Sequence, residues 1–191
     1  GATMTQKMPL NNFIALDHED IKRHQNSFDN IRNKKDGEAL YPLEASKGYI
    51  FCSQLKFSTE VQKKMLSYPL VPEQVIVDEN MLSEGQKKIW SKLFQEDYSS
   101  CNHKKMVNSF ATKKEYTSHY RMLIFLSQMG VEVNILRGYS FHQTNFISSY
   151  VKFCSNLRKE STNAADKDLW KLMANIIYGK FIGKLLFCLY I

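Results

Sequence analysis

The chain has 191 residues, of which 43% are hydrophobic and 13% aromatic, with four prolines and eight glycines. That composition fills a core and excludes disorder for the bulk of the chain. The formal charge of +7 and a pI of about 9.1 suit nucleic acid, nucleotide or an acidic protein partner.

Gly1-Ala2-Thr3, ahead of Met4, read as an appended leader. Asp17 to Asn33 reads as a polar helix. Gly48 to Phe57 reads as a strand, with Leu55 and Phe57 alternating with Gln54 and Lys56. Ser58-Thr59-Glu60 opens a short helix up to Leu66. Tyr68-Pro69-Leu70-Val71-Pro72 is expected to be extended, because each proline disfavours helix in the residue before it. Gln74 to Val77 suggests a short strand. Ser83 to Phe94 is expected to be a helix burying Ile89, Trp90 and Leu93.

Ser99 to Ser109 is polar and basic and reads as a loop. Lys113 to Met129 reads as one helix ending at Gly130, a residue suited to a left-handed cap. Val131, Val133 and Ile135 alternate with Glu132 and Asn134, which predicts a half-buried strand. Gly138 to Asn145 is expected to be a turn. Phe146 to Lys159 and Ala164 to Phe181 are the last two helices, followed by apolar text to Ile191 that reads as a tail packed on the core. The fold class expected is α+β, dominated by helices with a few short strands. The chain divides into residues 1–47 (helix and linker), 48–145 and 146–191.

Cys52, Cys101, Cys154 and Cys188 are far apart, without a CxxC or zinc-ligand spacing, and read as reduced thiols of an intracellular protein. His18 and His24 beside Asp17, Glu19 and Asp20 have metal-ligand chemistry, but a solvated helix start accounts for them as well. No signal peptide and no apolar run of transmembrane length is evident.

The richest stretch is Lys171 to Lys180. With Lys171 at zero on a helical wheel, Lys167 falls at about −40°, Asn175 at about +40° and Tyr178 at about −20°. Leu169, Leu172, Met173, Ile176 and Ile177 fall between about 100° and 240° and are expected to be buried together. Cations one turn apart on a helix can grip a polyphosphate, and a phenol beyond them can lie against a base. An ordinary amphipathic helix with a solvated polar face has the same pattern.

Lys171-x-x-x-Asn175-x-x-Tyr178-Gly179 resembles the fingers-helix motif of family B DNA polymerases. Leu157-Arg158-Lys159-Glu160, Asn163 and Lys167-Asp168 resemble the run ahead of that motif in protein-primed enzymes of the Polinton (Maverick) kind. Tyr68 to Glu73, Asp78 to Ser83 with Gln86, His119-Tyr120 to Gly130, Val133 and Phe141-x-Gln143 continue the resemblance in the same order. Together they span roughly Gly48 to Lys180, most of the chain.

The resemblance implies a partial palm and fingers fold in which Lys171, Asn175, Tyr178, Arg158 and Lys167 contact nucleotide. It also implies a two-Mg²⁺ site held by carboxylates. Asp36-Gly37-Glu38-Ala39-Leu40-Tyr41-Pro42 matches the first metal motif in letters, with alanine for serine. It nominates Asp36 as metal ligand and catalytic residue, and Tyr41 as steric gate. Asn30 to Lys35 before it is not the hydrophobic strand of the family. The second motif, Tyr-x-Asp-Thr-Asp, does not occur in the chain, nor does an exonuclease Asp-x-Glu near its start, and Ile176 replaces the usual serine.

The expectation is therefore a truncated or domesticated polymerase remnant, derived from a transposable element and not catalytic alone. It would bind nucleotide, or single-stranded or primer-template DNA. The alternative is a protein-interaction module that keeps the fold. Either way the expected location is intracellular and nuclear, with no membrane partner, and Mg²⁺ is needed only if the chain is catalytic.

Overall fold

A computed structural model describes residues 6–35, 41–42, 45–66, 70–95 and 104–188, with the side chains at 178 and 180–188 excepted. Asp36, Cys101, His103 and the end of the apolar tail lie outside the described residues. In chain order the elements are β1 (Met8–Ala15), α1 (His18–Arg32), β2 (Lys47–Lys56), α2 (Thr59–Met65), β3 (Glu73–Val75), α3 (Glu84–Phe94), β4 (Lys105–Val107), β5 (Lys113–His119), α4 (Tyr120–Gln128), β6 (Glu132–Thr144), α5 (Ser148–Glu160) and α6 (Ala164–Cys188). A short 3₁₀ turn, Glu79–Met81, precedes α3. The fold is mixed helix and sheet, but it has more strands than the sequence implied, and β6 is longer than expected.

Four strands form an antiparallel sheet in the order β1-β6-β2-β5. Both β1 and β2 run antiparallel to β6, so they are parallel to each other with β6 between them. By the same reasoning β5 and β6 are parallel, with β2 between. The sheet is thus two interleaved split β-α-β units, β1-α1-β2 and β5-α4-β6. The excursion from α2 to β4 is inserted between them.

Helix α1 begins where Asp17 accepts a hydrogen bond from the Asp20 amide at 2.8 Å. It buries His24, Ser27, Phe28 and Ile31, one stripe at helical spacing. Helix α4 buries Tyr120, Leu123, Leu126 and Ser127 and ends before Gly130, whose φ of +98° is the left-handed cap expected. Both stripes pack with Tyr49, Phe51, Leu55, Val133 and Ile135 of β2 and β6 in one core.

Five local expectations are corrected. Lys113 to His119 is a strand, not the first half of a helix. Only Tyr116 in that stretch is apolar, so a helix there has no face to bury, whereas pairing with β2 satisfies its backbone. Residues 138–144 continue β6 and do not turn. Gly138 is there because the Phe51 ring lies across it: a Cβ would meet Phe51 Cδ1 at 2.6 Å. Part of the expected loop is β4, which pairs with β3 through Gln74 and Met106. Met8–Ala15, unforeseen, is an edge strand on β6. Finally Val71 is not extended. Its φ is +70°, a strained value for a β-branched residue, and its complete burial holds it there.

The β3–β4 ribbon is tied to the sheet by Lys113. Its buried ammonium pairs with Glu73 and donates to Ser109 Oγ at 2.9 Å. Helix α3 has a complete capping box, Ser83 with Gln86. Its expected buried stripe is instead open: Ile89 is 61% and Leu93 70% exposed, and only Trp90 is half-buried.

Candidate functional site

The last two helices form an antiparallel hairpin joined by residues 161–163. Ser161 closes α5, its hydroxyl donating to the Leu157 carbonyl at 2.6 Å. Asn163 opens α6: its side-chain oxygen accepts from the Asp166 amide at 2.8 Å, and its Nδ2 donates to Asp166 Oδ2 at 2.7 Å. Tyr150 of α5 donates to the Met173 carbonyl at 3.2 Å, and the Phe153 and Trp170 rings meet edge to face with centroids 6.2 Å apart.

Between the helices lies a cleft of about 230 Å³, lined by Val151, Cys154, Ser155 and Arg158 of α5 and by Trp170, Lys171, Ala174 and Asn175 of α6. Among the described residues, Arg158 and Lys171 carry the charges on its walls. Among the described residues no carboxylate pairs with either. Two cations, an amide, a serine hydroxyl and an indole ring lining one cleft suit an anion that carries a planar group.

Three residues picked out in the sequence, Arg158, Lys171 and Asn175, therefore line one cleft. Lys167 is exposed one turn before Lys171 and does not line it. The side chain of Tyr178, like Asp36, lies outside the described residues. Tyr41 is 6% exposed. It stacks on Phe28 and Tyr120, with centroids 5.5 and 5.3 Å away, and its hydroxyl is 2.8 Å from His24 Nδ1. Burial pushes the Tyr41 phenol well above its usual range. Trp170, Ser155 and Cys154 were not foreseen. Their signal was faint: Cys154, Ser155 and Arg158 share one face of α5 at helical spacing.

The helical wheel of α6 needs one correction. Its apolar residues do not bury as a single face. Trp170, Met173, Ala174 and Ile177 turn towards α5 and are half-buried, whereas Leu169, Leu172 and Ile176 are 50%, 57% and 43% exposed. The two sets are about 100° apart on the wheel, so one neighbouring helix can cover only one of them.

Among the described residues no three His, Cys, Asp or Glu side chains are grouped to hold a metal ion. Cys52 and Cys154 are buried free thiols. Among the described residues no helix is long and apolar enough to cross a membrane. No protein-family model, no curated protein and no solved structure matches the chain.

Proposed function

We propose that the chain is a polymerase-derived binding module, without catalysis of its own, whose α5–α6 cleft grips the phosphates of a nucleotide. The observation that carries this reading is the convergence of Arg158, Lys171 and Asn175 on one cleft with Trp170. The resemblance of Lys171-x-x-x-Asn175-x-x-Tyr178-Gly179 to a fingers helix adds to it. At about 230 Å³ the cleft is smaller than the roughly 300–1,000 Å³ that encloses a drug-sized ligand. It therefore suits a phosphate chain better than a whole nucleotide. The sugar and base would extend along the open side of α6, where Lys167 lies.

Titration with a deoxynucleoside triphosphate, followed by Trp170 fluorescence and calorimetry, tests this. Arg158→Glu with Lys171→Glu should weaken binding more than tenfold at low salt, a loss above about 1.4 kcal/mol. Unchanged affinity, with the fold intact by circular dichroism, overturns the site.

A second reading, a protein-interaction module on the same fold, rests on a different observation. Ile89, Leu93 and Phe94 of α3 are open to solvent, as are Leu169, Leu172 and Ile176 of α6.

A further inference from the structure

Helix α3 is 11 residues long and buries none of them. Helices shorter than about 12–15 residues are marginal in water, and most helical stability in proteins comes from packing an apolar face. The capping box of Ser83 and Gln86 and the ion pair of Glu84 with Lys87 hold the first turn of α3. Its second half is open: Ile89 is 61%, Leu93 70% and Phe94 54% exposed.

Residues four apart are neighbours along a helix, so this half of α3 carries three parallel rows. Lys88 and Lys92 form one, Ile89 and Leu93 the next, and Trp90 and Phe94 the third, with their ring centroids 4.3 Å apart. The aliphatic row thus runs between a cationic flank and an aromatic one. Every carboxylate from Glu73 to Phe94 is engaged within the chain: Glu73 with Lys113, Asp78 at the amide of Asn80, and Glu79 and Glu84 with Lys87. Lys88 and Lys92 are exposed, and among the described residues no carboxylate pairs with either. The open apolar row is therefore bordered by two uncompensated cations.

We propose that α3 is a docking helix for an acidic amphipathic segment of a partner protein. The apolar side chains of that segment cover Ile89 and Leu93, and its carboxylates meet Lys88 and Lys92. Charge complementarity selects this occupant. A second copy packed antiparallel on the same row would set each lysine flank against its twin, a repulsive arrangement. A membrane-surface helix is rich in cations on the face opposite its apolar one. In α3 that face carries Glu84, Lys87 and Ser91, and Lys87 is paired with both Glu79 and Glu84. Such docking presupposes the protein-interaction reading and is independent of the α5–α6 cleft.

Peptides displayed from a random library, selected on the whole chain and depleted on its Leu93→Asp variant, test the proposal. At 70% exposure that substitution should leave the fold unchanged by circular dichroism. The peptides retained should carry Asp or Glu beside Leu, Ile, Phe or Trp, and synthetic copies should bind the parent with an affinity that falls as salt rises. Lys88→Glu with Lys92→Glu should weaken them at least tenfold, and exchanging the peptide's carboxylates for lysines should restore binding to that double variant. Arg158→Glu with Lys171→Glu should leave peptide binding unchanged, which separates this surface from the cleft. Retained peptides that are basic or uncharged, or that the lysine reversals leave bound, overturn the acidic partner and leave the interaction reading standing. A selection that retains none overturns both. Peptide binding lost in the cleft variant overturns the proposal, as does self-association that Leu93→Asp abolishes. So does binding to phosphatidylserine vesicles that the lysine reversals abolish.

Discussion

His24 is 1% exposed, ringed by Tyr41, Tyr49 and Phe51, with Nδ1 bonded to the Tyr41 hydroxyl. Its Nε2 is buried without a hydrogen-bond partner. A second proton would put a charge there with nothing to receive it, so burial and the nearby Arg23 lower its pKa from 6.5 to about 4. His119, packed against Tyr120 and Phe141, is likewise lowered to about 4, first by burial and then by Arg121. Above 6.5 both states of the chain hold these rings neutral and no stability is lost. Between 6.5 and about 4 the unfolded chain takes up protons that the folded chain refuses, so stability falls as the pH falls. Urea denaturation across that window should show a decreasing midpoint. His24→Gln, which keeps an amide to bond Tyr41 but cannot titrate, should flatten part of the slope. A midpoint independent of pH in both proteins would show that neither histidine is held neutral by the fold.

At the scale of an element, the periodicity of α6 told that it is a helix but not which apolar side meets its neighbour. Leu172, Met173 and Ile176 belong to one stretch of sequence, yet only Met173 turns towards α5. Leu172→Asp should therefore cost under about 0.5 kcal/mol, as exposed changes do. Met173→Asp, which partly buries a charge against α5, should cost roughly 1–3 kcal/mol. Paired thermal melts decide between them, and equal losses would mean that α6 is covered on both sides. Elements with their own local signal were legible: β2 from its alternation and α2 from Ser58, while α1 and α3 were legible as helices but not in the face they bury. Strands that depend on a distant partner were not. Nothing local in Lys113 to His119 announces β2, and Gly138 reads as a turn until the Phe51 ring is known to lie over it. The cleft divides in the same way. Lys171 and Asn175 stand out in the sequence, whereas Trp170 and Ser155 join them only through the packing of α5 on α6.

At the scale of the whole molecule, the proposed reading separates phosphate binding from phosphoryl transfer. Phosphoryl transfer by two metal ions requires acidic ligands that hold both ions at the reacting phosphate, because each ion stabilises charge that develops only in the transition state. The chain contains no Tyr-x-Asp-Thr-Asp string. Its one candidate for the first metal motif, Asp36, lies outside the described residues, and among the described residues no acidic side chain lines the cleft that carries Arg158 and Lys171. Phosphate binding needs none: cations and an amide suffice, and such binding should weaken steeply as salt rises. The isolated protein should therefore bind a nucleotide or a single strand at low salt and yet extend no primer when given Mg²⁺, template and all four deoxynucleotides. A primer-extension assay resolved to single-nucleotide addition, run beside the binding titration, separates the two properties. Template-dependent incorporation that disappears in Asp36→Ala would establish a competent metal site and overturn the assignment of a non-catalytic module.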